Sequence, residues 1–306
     1  MDLRQFSALI AVSEHGGFSA AADALHTVQS NVSSHVARLE RELGVVLVDR
    51  QAGRLTDEGA VVAARARRIN GELEGVVSDL AALRHEIVGN ARLGMIGTTA
   101  RWLVPPVLTT IRERHPGVRL VVVDATSTSL EPQLLAGALD LAVINLPVPS
   151  RDLICEPLFD EDLVLVVPAG HPLIARQRVE LADLASVELL LPPPGTAFRG
   201  ELDAAAASAG ILLRPLAELD GVRLVASLAM QGHGPAIVPA SAVSGINDNG
   251  VWRLIPVVGL PRRRVGIAQR RRGQPAAPAR AVLDILREIA RSSDLRGLHP
   301  PRATAG

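Results

Sequence analysis

Lysine and tyrosine are both absent from the 306 residues, and cysteine occurs only once, at Cys155. We attribute the missing lysine and tyrosine to compositional bias rather than to function. A single cysteine excludes a disulfide within the chain, which is typical of proteins from a reducing compartment. The N-terminus lacks the basic and apolar segments of a signal peptide, and no apolar run is long enough to span a bilayer. The expected location is therefore the cytoplasm, away from any membrane.

Catalytic and metal-binding patterns are missing as well. The eight histidines are dispersed, and no pair has the helical spacing of a metal site. The G-x-S-x-G motif of serine hydrolases does not occur. The segment Gly232-His233-Gly234 begins a near match to a dinucleotide motif, but it follows a predicted helix instead of a strand. The sequence predicts no enzyme, no cofactor and no metal.

The formal net charge is zero, so no global field favours a nucleic-acid partner. Residues 1–58 carry five arginines against eight acidic residues, a net charge of −3 without histidine. Such a domain should bind DNA weakly on its own, because neutralisation of phosphates supplies much of the affinity. DNA binding would need focused arginine contacts and more than one domain per site.

Residues 17–44 nevertheless predict two helices with a tight joint between them. Ser19 is expected to cap the first helix, and Thr27 the second, within a residue. One face of the second helix is apolar at spacings of four, three and four, through Val32, Val36, Leu39 and Leu43. The other face carries small polar groups and an arginine, namely Gln29, Ser30, Ser33, Ser34, Ala37 and Arg41. This pattern fits a DNA-binding helix-turn-helix, and it also fits an ordinary helical hairpin with a solvated face.

A short wing is predicted after Gly44. Residues 45–48 favour a strand, residues 51–53 a turn, and residues 54–56 a returning strand. Arg50 and Arg54 flank the tip, where they could reach phosphates or a minor groove. Alternatively, Arg50 pairs with Asp49 or another nearby acid.

Residues 56–88 predict one long helix, with Thr56 as its cap and Gly89-Asn90 at its end. Apolar residues alternate at spacings of four and three, at Val62, Ala66, Ile69, Leu73, Val76, Leu80, Leu83 and Ile87. Such a seam favours a two-stranded coiled coil between subunits over a helix packed within one chain.

Strands and helices alternate from Ala91 onward, which indicates an open parallel sheet followed by a second α/β region from about Leu163. Hydroxyl groups fill three of the predicted strand-to-helix turns, at Thr98-Thr99, at Ser127-Thr128-Ser129 and at Thr196. Ligands of open α/β sheets bind at this edge, and helix N-termini favour anions. The convergence of the three turns predicts a cleft for a small anion such as a carboxylate, although each turn alone fits simple helix capping. His233 could line this cleft, or be an ordinary core or surface histidine.

Two arginine triplets, 262–264 and 270–272, bracket a predicted strand near the C-terminus. They could contact DNA or an acidic partner, but a solvated edge strand is the preferred interpretation.

The N-terminal residues closely resemble the winged helix-turn-helix of LysR-type transcriptional regulators. The matching positions are Phe6, the GFSAAA of residues 17–22, Leu25, Gln29, Ser33, Arg38-Leu39-Glu40, Leu43-Gly44, Arg50, Leu55-Thr56 and Gly59. Weaker matches continue along nearly the whole chain, at Gly97-Thr98-Thr99, Asp140-Leu141-Ala142, Gly232-His233-Gly234 and Ile237-Val238-Pro239.

The resemblance implies a homodimer or homotetramer that binds double-stranded promoter DNA and responds to a small effector between two lobes. It implies DNA contacts from Gln29, Ser30, Asn31, Ser33, Ser34, Arg38, Arg50 and Arg54. Effector contacts are expected at Thr98, Thr99, Ser127, Thr128, Thr196 and His233. Dimerisation is expected through Ile69, Leu73, Val76, Leu80, Leu83 and Ile87.

The chain departs from the family pattern at three places. Val48 replaces the usual Phe of the wing, Ser30-Asn31 the frequent Pro-Ala, and Ser34 a frequent Arg. The loss of an arginine at Ser34 means that an operator sequence cannot be copied from relatives.

The predicted fold is an all-α winged helix-turn-helix N-terminal domain plus a long linker helix, followed by an α/β two-lobe (periplasmic-binding-protein-like) effector domain. The expected boundaries are residues 1–58, 59–89 and 90–294, with a disordered tail at 295–306. Lobe I comprises about 90–160 and 266–294, and lobe II about 161–265. The predicted function is effector-controlled, sequence-specific transcription regulation. The alternatives are a cytoplasmic small-molecule-binding module or enzyme with a helical appendage, and a non-specific architectural DNA protein.

Overall fold

The computed structural model describes residues 1–247 and 250–302. The N-terminal domain is built from the helices α1 (Leu3–His15), α2 (Phe18–Ala24) and α3 (Gln29–Leu43). Asp2 begins α1 with a capping box, in which its carboxylate accepts from the Gln5 amide at 2.9 Å. The apolar face predicted for α3 is buried against α1 and α2, and it includes Val32, Val36 and Leu39.

The caps of the helix-turn-helix differ in detail from the prediction. Gly17, not Ser19, precedes α2, so the expected Ser19 cap is wrong. Val28 precedes α3, one residue after the expected Thr27. The Thr27 hydroxyl instead accepts a hydrogen bond from the side-chain amide of Asn31 at 3.0 Å. The turn between the helices is thus held by a side-chain contact and not by a conventional N-cap.

The wing consists of the antiparallel strands β1 (Val48–Asp49) and β2 (Arg54–Leu55), which are shorter than predicted. The Asp49 carboxylate accepts hydrogen bonds from the backbone amides of Gln51 and Ala52 and so holds the turn between β1 and β2. These two hydrogen bonds lower the pKa of Asp49, because they favour the ionised carboxyl.

The linker helix α4 (Asp57–Ala82) begins where predicted, since the Thr56 hydroxyl accepts from the Gly59 amide at 3.0 Å. Val62 packs against the core of the N-terminal domain, and Ala66 is fully buried. The later part of α4 buries Gly75 and Ser78. Its opposite side leaves an apolar stripe exposed, formed by Ile69, Leu73, Val76, Val77 and Leu80.

The predicted end of this helix at Gly89-Asn90 is wrong. Helix α4 stops at Ala82, and His85 adopts a left-handed backbone conformation with φ 65° that does not continue a helix. Leu83 is the exposed cap residue. Ile87 packs against the core of the effector domain, so its assignment to the dimer seam is wrong.

The effector domain begins with β3 (Gly89–Met95), α5 (Gly97–Arg114), β4 (Val118–Asp124), α6 (Ser127–Ala136), β5 (Leu141–Leu146) and β6 (Leu153–Glu161). The chain then enters a second lobe through β7 (Leu163–Pro168), β8 (Val179–Glu180), β9 (Glu188–Leu191), α7 (Ala197–Ser208), β10 (Arg214–Glu218), α8 (Val222–Met230), β11 (Ala236–Pro239) and β12 (Trp252–Val258). It returns through β13 (Arg263–Arg270), α9 (Ala277–Ser292) and β14 (Leu298–His299).

Two sheets define the two lobes. Lobe I has the strand order β14-β6-β13-β5-β3-β4, in which β3 runs parallel to β4 and β5, while β13 is antiparallel to its neighbours. Lobe II has the order β11-β7-β12-β8, beside the parallel pair β9 and β10. The chain crosses between the lobes from β6 to β7 and again from β12 to β13. The expected βαβαβ unit is present as β3-α5-β4-α6-β5.

Four details of this domain differ from the prediction. Helix α5 starts at Gly97, so Thr98 and Thr99, which the sequence places in a strand-to-helix turn, lie inside the helix. Strand β6 was not predicted. Residues 298–299 form β14 paired with β6, so the prediction of a disordered tail is wrong there; residues 303–306 lie outside the described part. Strand β13 lies inside the sheet, so the edge-strand interpretation of the arginine triplets is also wrong.

Within the described residues, no helix is both long and apolar enough to cross a membrane.

Candidate nucleic-acid interface and effector cleft

The outer face of α3 presents the polar side chains that the sequence predicts for DNA contact. Exposed members are Gln29, Ser30, Asn31, Ser34 and Arg38. They project away from the face that packs on α1 and α2, so they remain available to another molecule. Their donors and acceptors match the kinds of group that read base edges in a major groove.

Ser33 and Arg50 have partners inside the domain. The Arg50 guanidinium donates to the Ser33 hydroxyl at 3.0 Å and to the Glu40 carboxylate at 3.4 Å, and it lies 5.1 Å from the Phe18 ring centroid. The pairing of Arg50 with a nearby acid, weighed as an alternative, is therefore present, with Glu40 in place of Asp49. Arg54, at the other side of the wing, is exposed.

Glu40 joins the recognition helix to the wing. One carboxylate oxygen accepts from the backbone amides of Leu47 and Val48, at 2.9 and 3.2 Å. The other oxygen accepts from Arg50. The side chain is only 15% exposed, so these bonds fix the wing relative to α3.

The hydroxyl-rich turns of lobe I meet at one edge of its sheet. Strands β3 and β4 are parallel and in register, with Met95 opposite Asp124, so the helices that follow them start side by side. Thr98 and Thr99 lie in the first turn of α5 and are buried, and the Thr99 hydroxyl has no hydrogen-bond partner among the described residues. The cap residue of α5 is Ile96, whose side chain accepts no hydrogen bond.

The hydroxyls after β4 hydrogen-bond within lobe I. The Ser127 hydroxyl accepts from the Asn145 amide at 3.0 Å, at the end of β5. The Thr128 hydroxyl shares a 2.9 Å hydrogen bond with that of Thr126, which caps α6. Thr126 therefore performs the capping that the sequence left open for Ser127 and Thr128.

The two predicted effector residues of lobe II are not joined to this cluster by any described contact. Thr196 caps α7, where its hydroxyl accepts from the Arg199 amide at 3.3 Å and donates to the Pro193 carbonyl at 2.9 Å. His233 is exposed and follows the C-terminal end of α8.

An ion pair instead connects the lobes at the edge of the cleft. Arg223, near the start of α8 in lobe II, lies 2.7 Å from the carboxylate of Asp124, at the end of β4 in lobe I. A Cβ atom at Gly97 would lie 2.7 Å from Asp124 Oδ1 and 2.8 Å from Arg223 Nε, so the pair sits directly on the N-terminus of α5. The Arg101 guanidinium, further along α5, reaches the Ala242 carbonyl of lobe II at 3.4 Å.

A second cluster of charged side chains lies where the chain crosses between the lobes. Arg263 begins β13 and lies 3.9 Å from the buried Glu161 and 3.6 Å from Glu201 of α7. The Ser241 amide of lobe II donates to Glu161 at 3.2 Å. Burial raises the pKa of Glu201, because a desolvated carboxylate is costly.

The arginine triplets contact this protein's own residues. Arg262 and Arg264 pair with Asp162 and Asp160, at 2.7 and 3.0 Å. Arg270 and Arg271 donate to backbone carbonyls of lobe I. These contacts tie four of the arginines to neighbouring elements, while Arg262, Arg271 and Arg272 are exposed.

Neither redox nor metal chemistry is evident in the described part of the chain. Cys155 lies half-buried in β6, and burial raises the pKa of its thiol, so the reactive thiolate is disfavoured. No group of three or more His, Cys, Asp or Glu side chains among residues 1–247 and 250–302 is arranged to hold a metal ion.

Sequence reasoning missed Asp124, Arg223 and the joining role of Glu40. The sequence holds no signal for the pair, because Asp124 and Arg223 are 99 positions apart and each resembles an ordinary surface charge. Glu40 belongs to the motif Arg38-Leu39-Glu40 used for the family resemblance, so its importance could have been suspected from its place between α3 and the wing.

Comparison with known proteins assigns both parts of the chain. Residues 3–60 match the bacterial regulatory helix-turn-helix model of the lysR family, and residues 84–291 match the LysR substrate binding domain. A probable hydrogen peroxide-inducible genes activator from Mycobacterium leprae is 34% identical over 291 residues, 92% of each chain.

Two solved structures have the same arrangement. A cysteine-to-aspartate variant of full-length OxyR from Pseudomonas aeruginosa is similar with a TM-score of 0.79 and 25% identity, over 99% of each chain. Full-length CbnR in complex with its target DNA is similar with a TM-score of 0.66 and 29% identity, over 95% of this chain and 99% of that one. The two family models match both parts of the chain, and the relatives match it over nearly its whole length. The protein belongs to the LysR family of DNA-binding transcription regulators, which carry an effector-binding domain and are not enzymes.

Proposed function

We propose that the exposed face of α3 reads the operator of this regulator, through Gln29, Ser30, Asn31, Ser34 and Arg38. The observation that carries the proposal is the division of α3 into one face buried in the domain core and one face of exposed, short polar side chains. Side chains of this kind hydrogen-bond to base edges in the major groove. The α3 N-terminus, which has no side-chain cap, favours a backbone phosphate.

Wing contacts follow from the same geometry. Arg54 is exposed and reaches a phosphate or a minor groove beside the recognition helix. Arg50 and Ser33 act less directly, because they bond to each other and to Glu40 and so fix the shape of the reading surface.

Oligomerisation supplies the affinity that one acidic domain lacks. The exposed stripe on α4, with Ile69, Leu73, Val76 and Leu80, pairs with the same stripe of a second subunit. Several DNA-binding domains then contact one operator, so their individual affinities combine. This arrangement supports a homodimer or homotetramer on double-stranded promoter DNA in the cytoplasm.

The effector site lies between the lobes at the starts of α5 and α6. Thr98, Thr99, Ser127 and Thr128 come together there, and the uncapped N-terminus of α5 favours an anion. Thr196 and His233 belong to this site only if lobe II moves or a ligand bridges the gap. A bound effector changes the relative position of the lobes by binding one arrangement more tightly than the other.

Peroxide sensing through thiols is the second candidate, because relatives carry the name of hydrogen peroxide-inducible activators. Cys155 argues against it in this chain. The thiol is half-buried, its pKa is raised, and the sequence has no second cysteine for an internal disulfide. A small anionic effector agrees better with the cleft.

Nuclease protection on the DNA that flanks the protein's own gene tests the proposed function. We expect two protected half-sites separated by whole helical turns, since each subunit of a dimer places one α3 in the major groove. The pattern should change when the effector is added. Uniform weak protection of all DNA would contradict sequence-specific reading.

A further inference from the structure

The salt bridge between Asp124 and Arg223 occupies the place where an anionic effector is expected. Its two charges come from different lobes, at the end of β4 and the start of α8. The pair also lies against Gly97, the first residue of α5, with Asp124 Oδ1 2.7 Å and Arg223 Nε 2.8 Å from a Cβ placed there. An internal carboxylate is thus held by an arginine at the N-terminus of an 18-residue helix.

Besides Asp124, the first turn of α5 and Arg223 offer groups that favour an anion. Helix α5 has no side-chain cap, so its first amides are free to favour negative charge. Thr99, in the same turn, is fully buried, and its hydroxyl lacks a partner among the described residues. Arg223 adds a guanidinium whose fork suits a carboxylate.

The internal pair is easily exchanged. The Arg223 and Asp124 side chains are 58% and 37% exposed, and salt bridges so open to water are weak. A ligand that brings its own carboxylate replaces Asp124 at Arg223 without leaving a buried charge unpaired. A neutral molecule such as hydrogen peroxide does not, because it offers no charge to Arg223.

We propose that Arg223 is the specificity-determining anchor for a small organic carboxylate, and that Asp124 is a built-in competitor that holds Arg223 and joins the lobes until the carboxylate displaces it. The proposal rests on the proposed effector cleft and names the chemical class of its ligand. Binding exchanges one carboxylate for another at Arg223, so the salt bridge between the lobes breaks when the ligand binds.

Removing the Asp124 charge and removing the Arg223 charge should have opposite effects on the affinity for a carboxylate ligand. Asp124→Asn removes the competitor and keeps a side chain of the same shape, so it should tighten carboxylate binding about tenfold. Arg223→Gln removes the anchor and should weaken binding by at least about tenfold. A residue with a merely structural role would not produce a gain of affinity on removal.

The experiment titrates the full-length protein and both variants with acetate, benzoate, succinate and citrate, using thermal shift and isothermal titration. Arg291→Gln, an exposed arginine on α9, is the matched control and should behave like wild type. At least one carboxylate should stabilise Asp124→Asn more than wild type and wild type more than Arg223→Gln. Hydrogen peroxide should not discriminate among the three proteins.

Two results overturn the proposal. One is that none of the four carboxylates stabilises Asp124→Asn, and the other is that all three proteins respond equally. Nuclease protection by the same samples without ligand separates this failure from that of the proposed function. If the protein protects its DNA from nuclease but responds to no carboxylate, only the role of Arg223 is rejected. If the protein protects no DNA, the proposed mode of DNA binding is rejected.

Discussion

At the scale of single residues, Glu40 shows how an acidic domain can still present a DNA-reading surface. Its carboxylate accepts two wing amides and the Arg50 guanidinium, so this negative charge is engaged inside the domain. Arg50 in turn donates to Ser33 on the recognition helix. The Glu40 charge is therefore directed toward the wing rather than toward the outer face of α3, although the net charge of the domain stays at −3 because Arg50 is used in the same pair.

Asp140 provides a prediction about pH. It lies before β5 and accepts the Arg92 amide at 2.8 Å, but burial raises its pKa. The ionised form is therefore unfavourable in the folded state, and this cost is present at neutral pH and disappears as pH falls below the folded pKa. Asp140→Asn keeps an acceptor for Arg92 and should raise the Tm of the effector domain by about 2 °C at pH 7.

Thermal denaturation from pH 7 down to pH 4 checks this prediction. The advantage of Asp140→Asn should shrink with falling pH, while the exposed control Asp294→Asn should match wild type throughout. A variant that is less stable than wild type at pH 7 would show that the carboxylate charge is needed.

The exposed residues of α3 were predictable from sequence, whereas the partners of the charged residues were not. Helical periodicity alone separates Val32, Val36 and Leu39 from the polar face, because burial follows the 3.6-residue repeat. Periodicity carries no information on which charges meet across the fold. The pairs of Arg50 with Glu40 and of Arg223 with Asp124 depend on how the elements pack.

At the scale of elements, α4 has two sides with different environments. Gly75 and Ser78 face the effector domain, and Asp79 accepts from the Ala277 amide at the start of α9. The apolar stripe on the other side has no cover within the described chain. A stripe of this kind on a helix that connects two domains favours pairing between subunits.

Placing charges in the stripe tests this pairing. Leu73→Asp combined with Leu80→Asp should convert the oligomer to monomers, because a coiled-coil seam does not accommodate unpaired carboxylates. Light scattering measures the mass. The control Val61→Asp changes an exposed valine of the same helix outside the stripe and should keep the oligomer. An unchanged mass for the double variant would contradict the seam.

The C-terminal strand β14 ties the tail across the junction of the lobes. Gly297 accepts the Asp162 amide at 2.8 Å, His299 bonds to the Asp162 carboxylate at 2.8 Å, and Leu298 packs against the cores of both lobes. The Arg302 amide adds a bond to Asp160 at 3.1 Å. The tail is thus a strap beside the strands that connect the two lobes.

Deletion of residues 295–306 should lower the Tm of the effector domain by roughly 4 °C, because it removes several hydrogen bonds and the partly buried Leu298. Differential scanning calorimetry gives the transition. Deletion of residues 303–306 alone leaves β14 in place and should leave the Tm unchanged. Equal transitions for the two truncated proteins would show that the strap contributes nothing to stability.

The elements missed from sequence share a physical cause. Strand β6 contains Pro157 and three acidic residues, so neither apolar alternation nor composition predicts it; its partners β13 and β14 supply its stability. Strand β14 is two residues long and exists only through a partner that is distant in sequence. The main helices and the parallel strands β3, β4 and β5 were predictable because their periodic patterns are long and local.

In the molecule as a whole, α4 is the helix that connects the DNA-binding domain to the effector domain. The lobes are joined by two chain crossings, by the buried charged cluster around Arg263 and by the ion pair of Arg223 with Asp124. Under the proposed function, an effector that favours one arrangement of the lobes would alter the spacing of the subunits across the stripe, and thereby the spacing of the recognition helices on DNA.

If the exposed face of α3 reads the operator, the ratio of the dissociation constants for random and operator duplexes depends on its side chains. Gln29→Ala should lower this ratio about 5- to 150-fold, because it removes one base contact and leaves phosphate contacts intact. Arg54→Ala should weaken both complexes alike and leave the ratio unchanged. A ratio that stays at the wild-type value for Gln29→Ala, and likewise for Ser34→Ala, would show that the exposed face of α3 does not read the operator.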